Sequence, residues 1–246
     1  MNKVVAGIVA FGAATLVSSV ASAQAANVPA EGNFVFGAER MFGFYSYHGS
    51  MDGTDNNVPY TAKQSGTQLS LLWGENGVGG DGLGANPDAI PRIGFDYMLT
   101  DLISLGGSLG YYTSGGQNKI EPSVGAAVSA DTPSINGFAV APRVGFMVPI
   151  TNGVAFWPRV GFSYYHFGTT TKDPPNPDHE NNISLEQING EFMFWLSPIE
   201  HFGFLVGPIV DLGVGGSIES KAGGLSVSNN ASWTNYGVAA GLGGYF

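Results

Sequence analysis

The chain has 246 residues, no cysteine and a formal net charge of −10 at pH 7. Lack of cysteine removes disulfides, thiolate metal ligands and a cysteine nucleophile, and the acidic balance argues against a basic nucleic-acid groove. Only 11% of residues are charged, 43% are hydrophobic and 38 are glycine, whereas an ordinary soluble domain carries about 25% charge.

Lys3 opens the chain with a positive charge, Val4 to Val20 is an alanine-rich apolar run, and Ala21-Ser22-Ala23 is a small-x-small cleavage site. This is the pattern of a secretory signal peptide over 1–23, with the mature domain spanning 24–246 from Gln24. No later run reaches the roughly 18 apolar residues of a spanning helix. Sparse charge without such a helix suits a membrane β-barrel, in which half the strand residues face lipid.

Alternation of apolar and small or polar residues predicts strands at 33–48, 62–73, 89–99, 102–113, 136–148, 154–168, 185–197, 201–217 and 232–246. Short connections at 100–101, 149–153 and 197–200 contrast with long ones at 49–61, 74–88, 114–135, 169–184 and 218–231. Short periplasmic turns and long external loops are the outer-membrane pattern, and bacterial barrels of this kind have an even strand number. The expected fold is therefore an all-β, transmembrane, antiparallel up-and-down barrel of eight strands. In that reading 49–88 is one long extracellular excursion, and 62–73 is a hairpin arm or an extension above the membrane. A ten-stranded barrel is the alternative.

One pentapeptide occurs three times, as Pro91-Arg92-Ile93-Gly94-Phe95, Pro142-Arg143-Val144-Gly145-Phe146 and Pro158-Arg159-Val160-Gly161-Phe162. Its apolar positions alternate with Arg and Gly. An Arg facing lipid at the membrane midplane costs about 2–4 kcal/mol, so Arg92, Arg143 and Arg159 are expected to face the lumen, with the glycines leaving room for them. The same parity turns Glu39, Asp96, Glu191 and Asp211 inward. Arg40 falls on the outward face with Phe34, Phe36, Phe42 and Phe44; it either snorkels at the interface or is turned inward by a bulge. Buried ions of opposite sign must pair, so the lumen is expected to hold a salt-bridged plug, with a selective constriction as the other reading.

Aromatic residues fall into two groups, Trp157, Trp195, Phe202, Tyr245 and Phe246 at the short-turn side, and Tyr45, Tyr47, Tyr111, Tyr112, Tyr164, Tyr165 and Phe167 at the long-loop side. They are expected to form the two interfacial girdles. Of the four histidines, His48 and His166 have outward parity at strand tops, His179 lies in a loop and His201 at a turn. There is no Gly-x-Ser-x-Gly elbow and no metal-ligand spacing. The expectation is a non-enzymatic protein without cofactor or metal.

The last strand alternates Tyr236, Val238, Ala240, Leu242 and Phe246 against glycine and alanine. This phenylalanine end, the Glu39-Arg40-Met41-Phe42-Gly43-Phe44 stretch and the Pro-Arg-Ile-Gly-Phe-Asp-Tyr run at 91–97 resemble the small Gram-negative outer-membrane β-barrel proteins of the porin-like superfamily. The resemblance implies an outer-membrane location, a lipid surround, and Phe246 as the assembly signal read by the insertion machinery. Such barrels serve as anchors, adhesins, channels and enzymes. A structural or surface-interaction role is the first expectation, a narrow channel or transporter for small solutes or hydrophobic ligands the second, and an outer-membrane hydrolase the third.

Overall fold

The computed structural model describes residues 27–55, 58–71, 86–120, 128–172 and 177–246. The expected signal peptide lies outside these residues. Among the described residues ten strands follow one another: β1 (Phe34–Asp55), β2 (Val58–Leu71), β3 (Arg92–Met98), β4 (Ile103–Ile120), β5 (Val128–Phe146), β6 (Val148–Thr151), β7 (Val154–Thr171), β8 (His179–Ile199), β9 (Phe202–Ala222) and β10 (Leu225–Tyr245). A 3-10 turn, Pro87–Ala89, precedes β3. No helix among the described residues is long and apolar enough to cross a membrane.

All pairings are antiparallel, and β10 returns to β1 to close the ring. Two wall positions are shared. Lower β1 pairs with β3 from Phe34↔Tyr97 to Glu39↔Arg92, and upper β1 pairs with β2 from Phe42↔Leu71 to Asp55↔Val58. Likewise β5 and then β6 lie along β7. Ten strands therefore fill eight places in the wall. Above the β3–β4 pairing, β2 pairs with β1 alone among the described residues.

The expected excursion over 49–88 takes a different form. Residues 49–55 prolong β1, β2 returns beside it as far as Leu71 opposite Phe42, and Asn86, Pro87 and Asp88 lie buried inside the ring. The expected loops at 114–135, 169–184 and 218–231 contract as well, since strands reach Ile120 and resume at Val128, reach Thr171 and resume at His179, and reach Ala222 and resume at Leu225. Gly223 and Gly224 join the last pair with φ of 56° and 82°, the two positive values that a tight hairpin turn needs. These upper hairpins are rich in Ser, Thr and Asn, so they show no apolar face by which sequence alternation could betray them.

The outer face carries an apolar belt. Phe34, Phe36, Phe42 and Phe44 on β1 are exposed, as are Ile93, Phe95 and Tyr97 on β3, Val160 and Phe162 on β7, Ile188, Phe192 and Phe194 on β8, and Tyr236 and Val238 on β10. Phe34 to Phe44 runs opposite Phe246 to Val238, eight steps or about 27 Å along the strand and, at a tilt of about 40°, about 21 Å along the barrel axis. That is close to the apolar band of about 25 Å on an outer-membrane barrel.

The expected girdles are half inverted. Trp157, Trp195, Tyr45, Tyr165, Phe167 and Tyr245 are buried inside, whereas Tyr111 and Phe246 face out. Parity explains this, since Trp157 shares a face with Arg159, and Trp195 with Glu191. Inside, Trp157 meets Trp195 edge-on at 6.3 Å, and Trp195 meets Tyr245 at 6.0 Å. With Met98, Met147, Met193 and Val28 they form an apolar layer at the short-turn end. A second apolar layer, Tyr165, Phe167, Leu185, Ile218, Ala231 and Trp233, lies toward the long hairpins.

Candidate functional site

Between the two apolar layers lies a charged one. Arg40, Arg92, Arg143 and Arg159 and the carboxylates of Glu39, Asp88, Asp96, Glu191 and Asp211 are each at most 4% exposed. They come from six strands and the 3-10 turn.

Arg143 is the most connected. Its guanidinium grips both oxygens of Glu39 at 2.7 Å, donates to Asp96 at 2.5 and 3.1 Å and reaches Glu191 at 3.3 Å. Arg159 meets Glu39 at 2.6 Å and Glu191 at 2.7 Å, with Asp96 at 3.9 Å. Its guanidinium also lies over the Trp157 ring at 4.6 Å. Arg40 forks onto both oxygens of Asp211 at 2.9 Å and touches Glu191 at 3.3 Å. Glu191 thus joins two halves of one network.

Local backbone features make this density possible. Gly94, Gly145 and Gly161 follow the three repeat arginines. A Cβ on Gly94 would stand 2.6 Å from the Glu39 carboxyl and 2.9 Å from Arg143 Nη2. One on Gly161 would meet the Pro142 carbonyl oxygen at 2.2 Å and Arg143 Cβ at 2.9 Å. In β1, the register against β10 shifts between Ala38 and Phe42, so that Glu39, Arg40 and Met41 oppose Gly241 alone. Arg40 takes φ of 55° there, a left-handed conformation that costs a non-glycine residue free energy. The bulge turns Arg40 inward beside Glu39; of the two outcomes weighed for Arg40, this is the one that forms, and the snorkelling one does not.

Arg92 differs from the other three. The carboxylates expected to serve the arginines were Glu39, Asp96, Glu191 and Asp211, yet the carboxylate in ion-pair reach of Arg92 is Asp88, at 3.7 Å. Arg92 also donates to the Tyr165 hydroxyl, which in turn donates to Asp88 Oδ1 at 2.5 Å. Gln187 donates to the other Asp88 oxygen at 3.1 Å, and Arg40 reaches the Asp88 carbonyl at 3.0 Å. One step earlier, Asn86 donates to Asn235 Oδ1 at 2.9 Å and accepts from Trp233 Nε1 at 3.3 Å. Asp88 and Arg40 are the members that alternation could not assign.

Phe246 lies on the outer rim, 71% exposed, stacked on Phe36 at 5.4 Å. Its backbone exchanges hydrogen bonds with Phe34 at 2.9 and 3.1 Å, which closes the ring at its lower edge. On the outer surface His48 stacks on Tyr236, and His166 Nδ1 is 3.1 Å from Ser184 Oγ. No described carboxylate lies within hydrogen-bond or ion-pair distance of the His166 ring. No group of three His, Asp or Glu suited to a metal ion occurs among the described residues.

No protein-family model matches the chain, and no curated protein matches it. Solved structures do. The outer membrane protein OprG from Pseudomonas aeruginosa is similar over 88% of this chain and 97% of its own, at 14% identity and a TM-score of 0.47. The outer membrane protease OmpT from Escherichia coli covers 87% and 97% at 8% identity and 0.41. Ail, the attachment invasion locus protein of Yersinia pestis, covers 87% and 99% at 13% identity and 0.33. These likenesses are to fold alone. By its own wall positions, closed register and apolar belt, the chain is an antiparallel β-barrel of the outer-membrane type.

Proposed function

We propose that this outer-membrane barrel is a closed, non-enzymatic body with a structural or surface-interaction role. Lipid surrounds its belt, and the insertion machinery reads its Phe246 end. The observation that carries the reading is the charged layer. Nine ionisable side chains, four arginines and five carboxyl groups, fill the cross-section with mutual contacts of 2.5–3.9 Å. An eight-position barrel is just wide enough for side chains to fill. The packed tryptophan and methionine layer beneath supports the same reading, because an ion would have to cross both.

The upper hairpins favour a surface role over a purely internal one. β1, β8, β9 and β10 run for 21–22 residues, about twice the roughly 9–11 that span a bilayer. The excess projects outward as paired, polar strands. The mature protein reconstituted in a planar bilayer tests the closed state. The expected record is a flat baseline, and stable porin-like conductance steps would replace this reading with that of a channel.

A further inference from the structure

Above the apolar belt, the outer face of β10, β1 and β2 turns from lipid-facing to polar within a few residues. Val238, Phe44 and Leu69 form one row across the three strands and are 49%, 56% and 63% exposed. The next outward row is Tyr236, Ser46 and Thr67, then Thr234, His48 and Ser65, then Ser232, Ser50 and Lys63. Two residues of a strand tilted by about 40° rise about 5 Å along the barrel axis. The His48 row thus stands about 5 Å above the Tyr236 row, and the Lys63 row about 10 Å above it. Headgroups add about 5–7 Å to each side of a bilayer's hydrocarbon core, and a lysine ammonium on its flexible stem reaches into that layer.

A cleft of about 370 Å³ opens on this face, lined by His48, Ser50, Lys63, Ser65, Ser232 and Thr234. That is the lower end of the range of about 300–1,000 Å³ for ligand clefts, a size for a headgroup rather than a whole lipid. Its chemistry is that of an anion site. Lys63 is exposed and has no carboxylate in ion-pair reach among the described residues, whereas Lys221 pairs with Glu219 at 3.2 Å. The hydroxyls of Ser50, Ser65 and Ser232 make no hydrogen bond to another described residue, and Thr234 Oγ1 accepts from the Gly213 amide at 3.4 Å. At the lower lip the His48 ring stacks on Tyr236 at 5.9 Å, and the Tyr236 hydroxyl accepts from Ser46 at 3.1 Å. At the upper lip Asp52, the next outward residue of β1, accepts from Thr61 at 2.7 Å. An unpaired cation and three idle hydroxyl donors stand directly above a lipid-facing row, on a chain of net charge −10.

We infer that this cleft binds the phosphomonoester headgroup of an outer-leaflet lipid whose acyl chains run down over Phe44, Leu69 and Val238. A phosphomonoester presents three terminal oxygens and a charge of about −1.5 to −2 at pH 7, enough acceptors for Lys63 and the three hydroxyls together. A phosphodiester has fewer terminal oxygens and a smaller charge, and a choline headgroup adds a cation beside Lys63. Inorganic phosphate lacks the chains that the belt holds. The inference rests on the outer-membrane orientation proposed above and gives the surface role a lipid partner; it does not depend on whether the barrel conducts.

The mature protein, folded in neutral detergent micelles, is titrated with phosphatidic acid and read by native mass spectrometry. Heat-modifiable mobility scores folding first. A protein that forms no barrel removes the membrane reading and the site with it; a folded one that retains no phosphatidic acid removes the site alone. One saturably bound lipid is expected. Phosphatidylglycerol and phosphatidylcholine with the same chains should bind at least about fivefold more weakly, and millimolar inorganic phosphate should not displace the bound lipid. Lys63→Gln should weaken binding about fivefold, the effect of one lysine beside an anionic lipid surface. Adding Ser50→Ala and Ser65→Ala should take the loss to about twentyfold or more. Asp52→Asn should tighten binding, because it removes a like charge from the upper lip. All these side chains lie on the outer surface, so the variants should keep the folded band. Lys221→Gln removes a lysine elsewhere on the surface and should bind as the unsubstituted protein does. The inference is overturned if Lys63→Gln and Lys221→Gln retain phosphatidic acid equally, or if phosphatidylcholine binds as tightly. Displacement by inorganic phosphate would assign the cleft to a free anion, and weaker binding in Asp52→Asn would assign it to a cationic headgroup; either result overturns it as well.

Discussion

Replacing Arg143 with Ala should be the most destabilising change within the repeat motifs. The side chain is 1% exposed and contacts Glu39, Asp96 and Glu191 at 2.7, 2.5 and 3.3 Å. Its loss leaves Asp96 with Arg159 at 3.9 Å as its nearest remaining cation, and the layer shifts from four cations against five anions to three against five. Breaking a fully desolvated pair by removing one partner costs about 3–5 kcal/mol. The neighbouring Val144 is the control, because it is 44% exposed on the lipid side. Val144→Ala removes two carbons at about 0.8 kcal/mol each, about 1.6 kcal/mol at most. Urea unfolding of the barrel in lipid vesicles, extrapolated linearly to zero denaturant, measures both. The paired substitution Arg143→Met with Glu39→Gln should cost less than the sum of its parts, with a coupling of about 0.5–3 kcal/mol. If Arg143→Ala unfolds no more readily than Val144→Ala, the layer is hydrated and the argument from desolvation fails.

Other expectations follow from single contacts. Deleting Phe246 should lower membrane insertion far more than replacing Tyr245, since Phe246 lies outward on Phe36 while Tyr245 is buried against Trp195; equal heat-modifiable folded bands would contradict this. Gly94→Ala should destabilise by about 1–3 kcal/mol through overpacking, because its Cβ meets the Glu39 carboxyl at 2.6 Å. Gly115→Ala, whose Cβ finds its nearest atom at 3.5 Å, should stay near neutral, and denaturant midpoints compare the two. Mass spectrometry of protein recovered from the outer membrane should give Gln24 or a near neighbour as the first residue; recovery as soluble periplasmic material would remove the outer-membrane reading.

Most of the wall was legible because lipid enforces a strict period of two. Wherever Phe, Ile or Val recur at alternate positions, as in 93–97 or 192–196, the intervening residue must be inward, and Arg92, Asp96, Glu191, Arg143 and Arg159 are all inward. The same rule, carried further, would have turned Trp157 and Trp195 inward with Arg159 and Glu191; grouping aromatics by height rather than by face concealed that. Above the belt the constraint relaxes. Strand residues such as those of 218–231 meet water on their outer face, no side of the strand need be apolar, and paired hairpins read like loops.

Arg40 and Asp88 mark the limit of the parity rule for physical reasons that differ. Arg40 has outward parity, and only the two extra residues that set Glu39, Arg40 and Met41 against Gly241 bring it inside. The signal available in the sequence was a charge among Phe34, Phe36, Phe42 and Phe44, since a lipid-facing Arg at depth costs about 2–4 kcal/mol. That cost exceeds the roughly 1–3 kcal/mol of a left-handed residue, so the bulge is the cheaper solution. Asp88 carries no such mark. It belongs to no strand, and its neighbours Asn86, Pro87 and Ala89 have the composition of a surface turn. Its place inside depends on Arg92, which parity sends inward while the four wall carboxylates crowd around Arg40, Arg143 and Arg159. A lumenal cation without a wall partner predicts a carboxylate arriving from elsewhere, and the one that arrives is held from four sides, by Arg92 at 3.7 Å, Arg40 at 3.8 Å, the Tyr165 hydroxyl and the Gln187 amide.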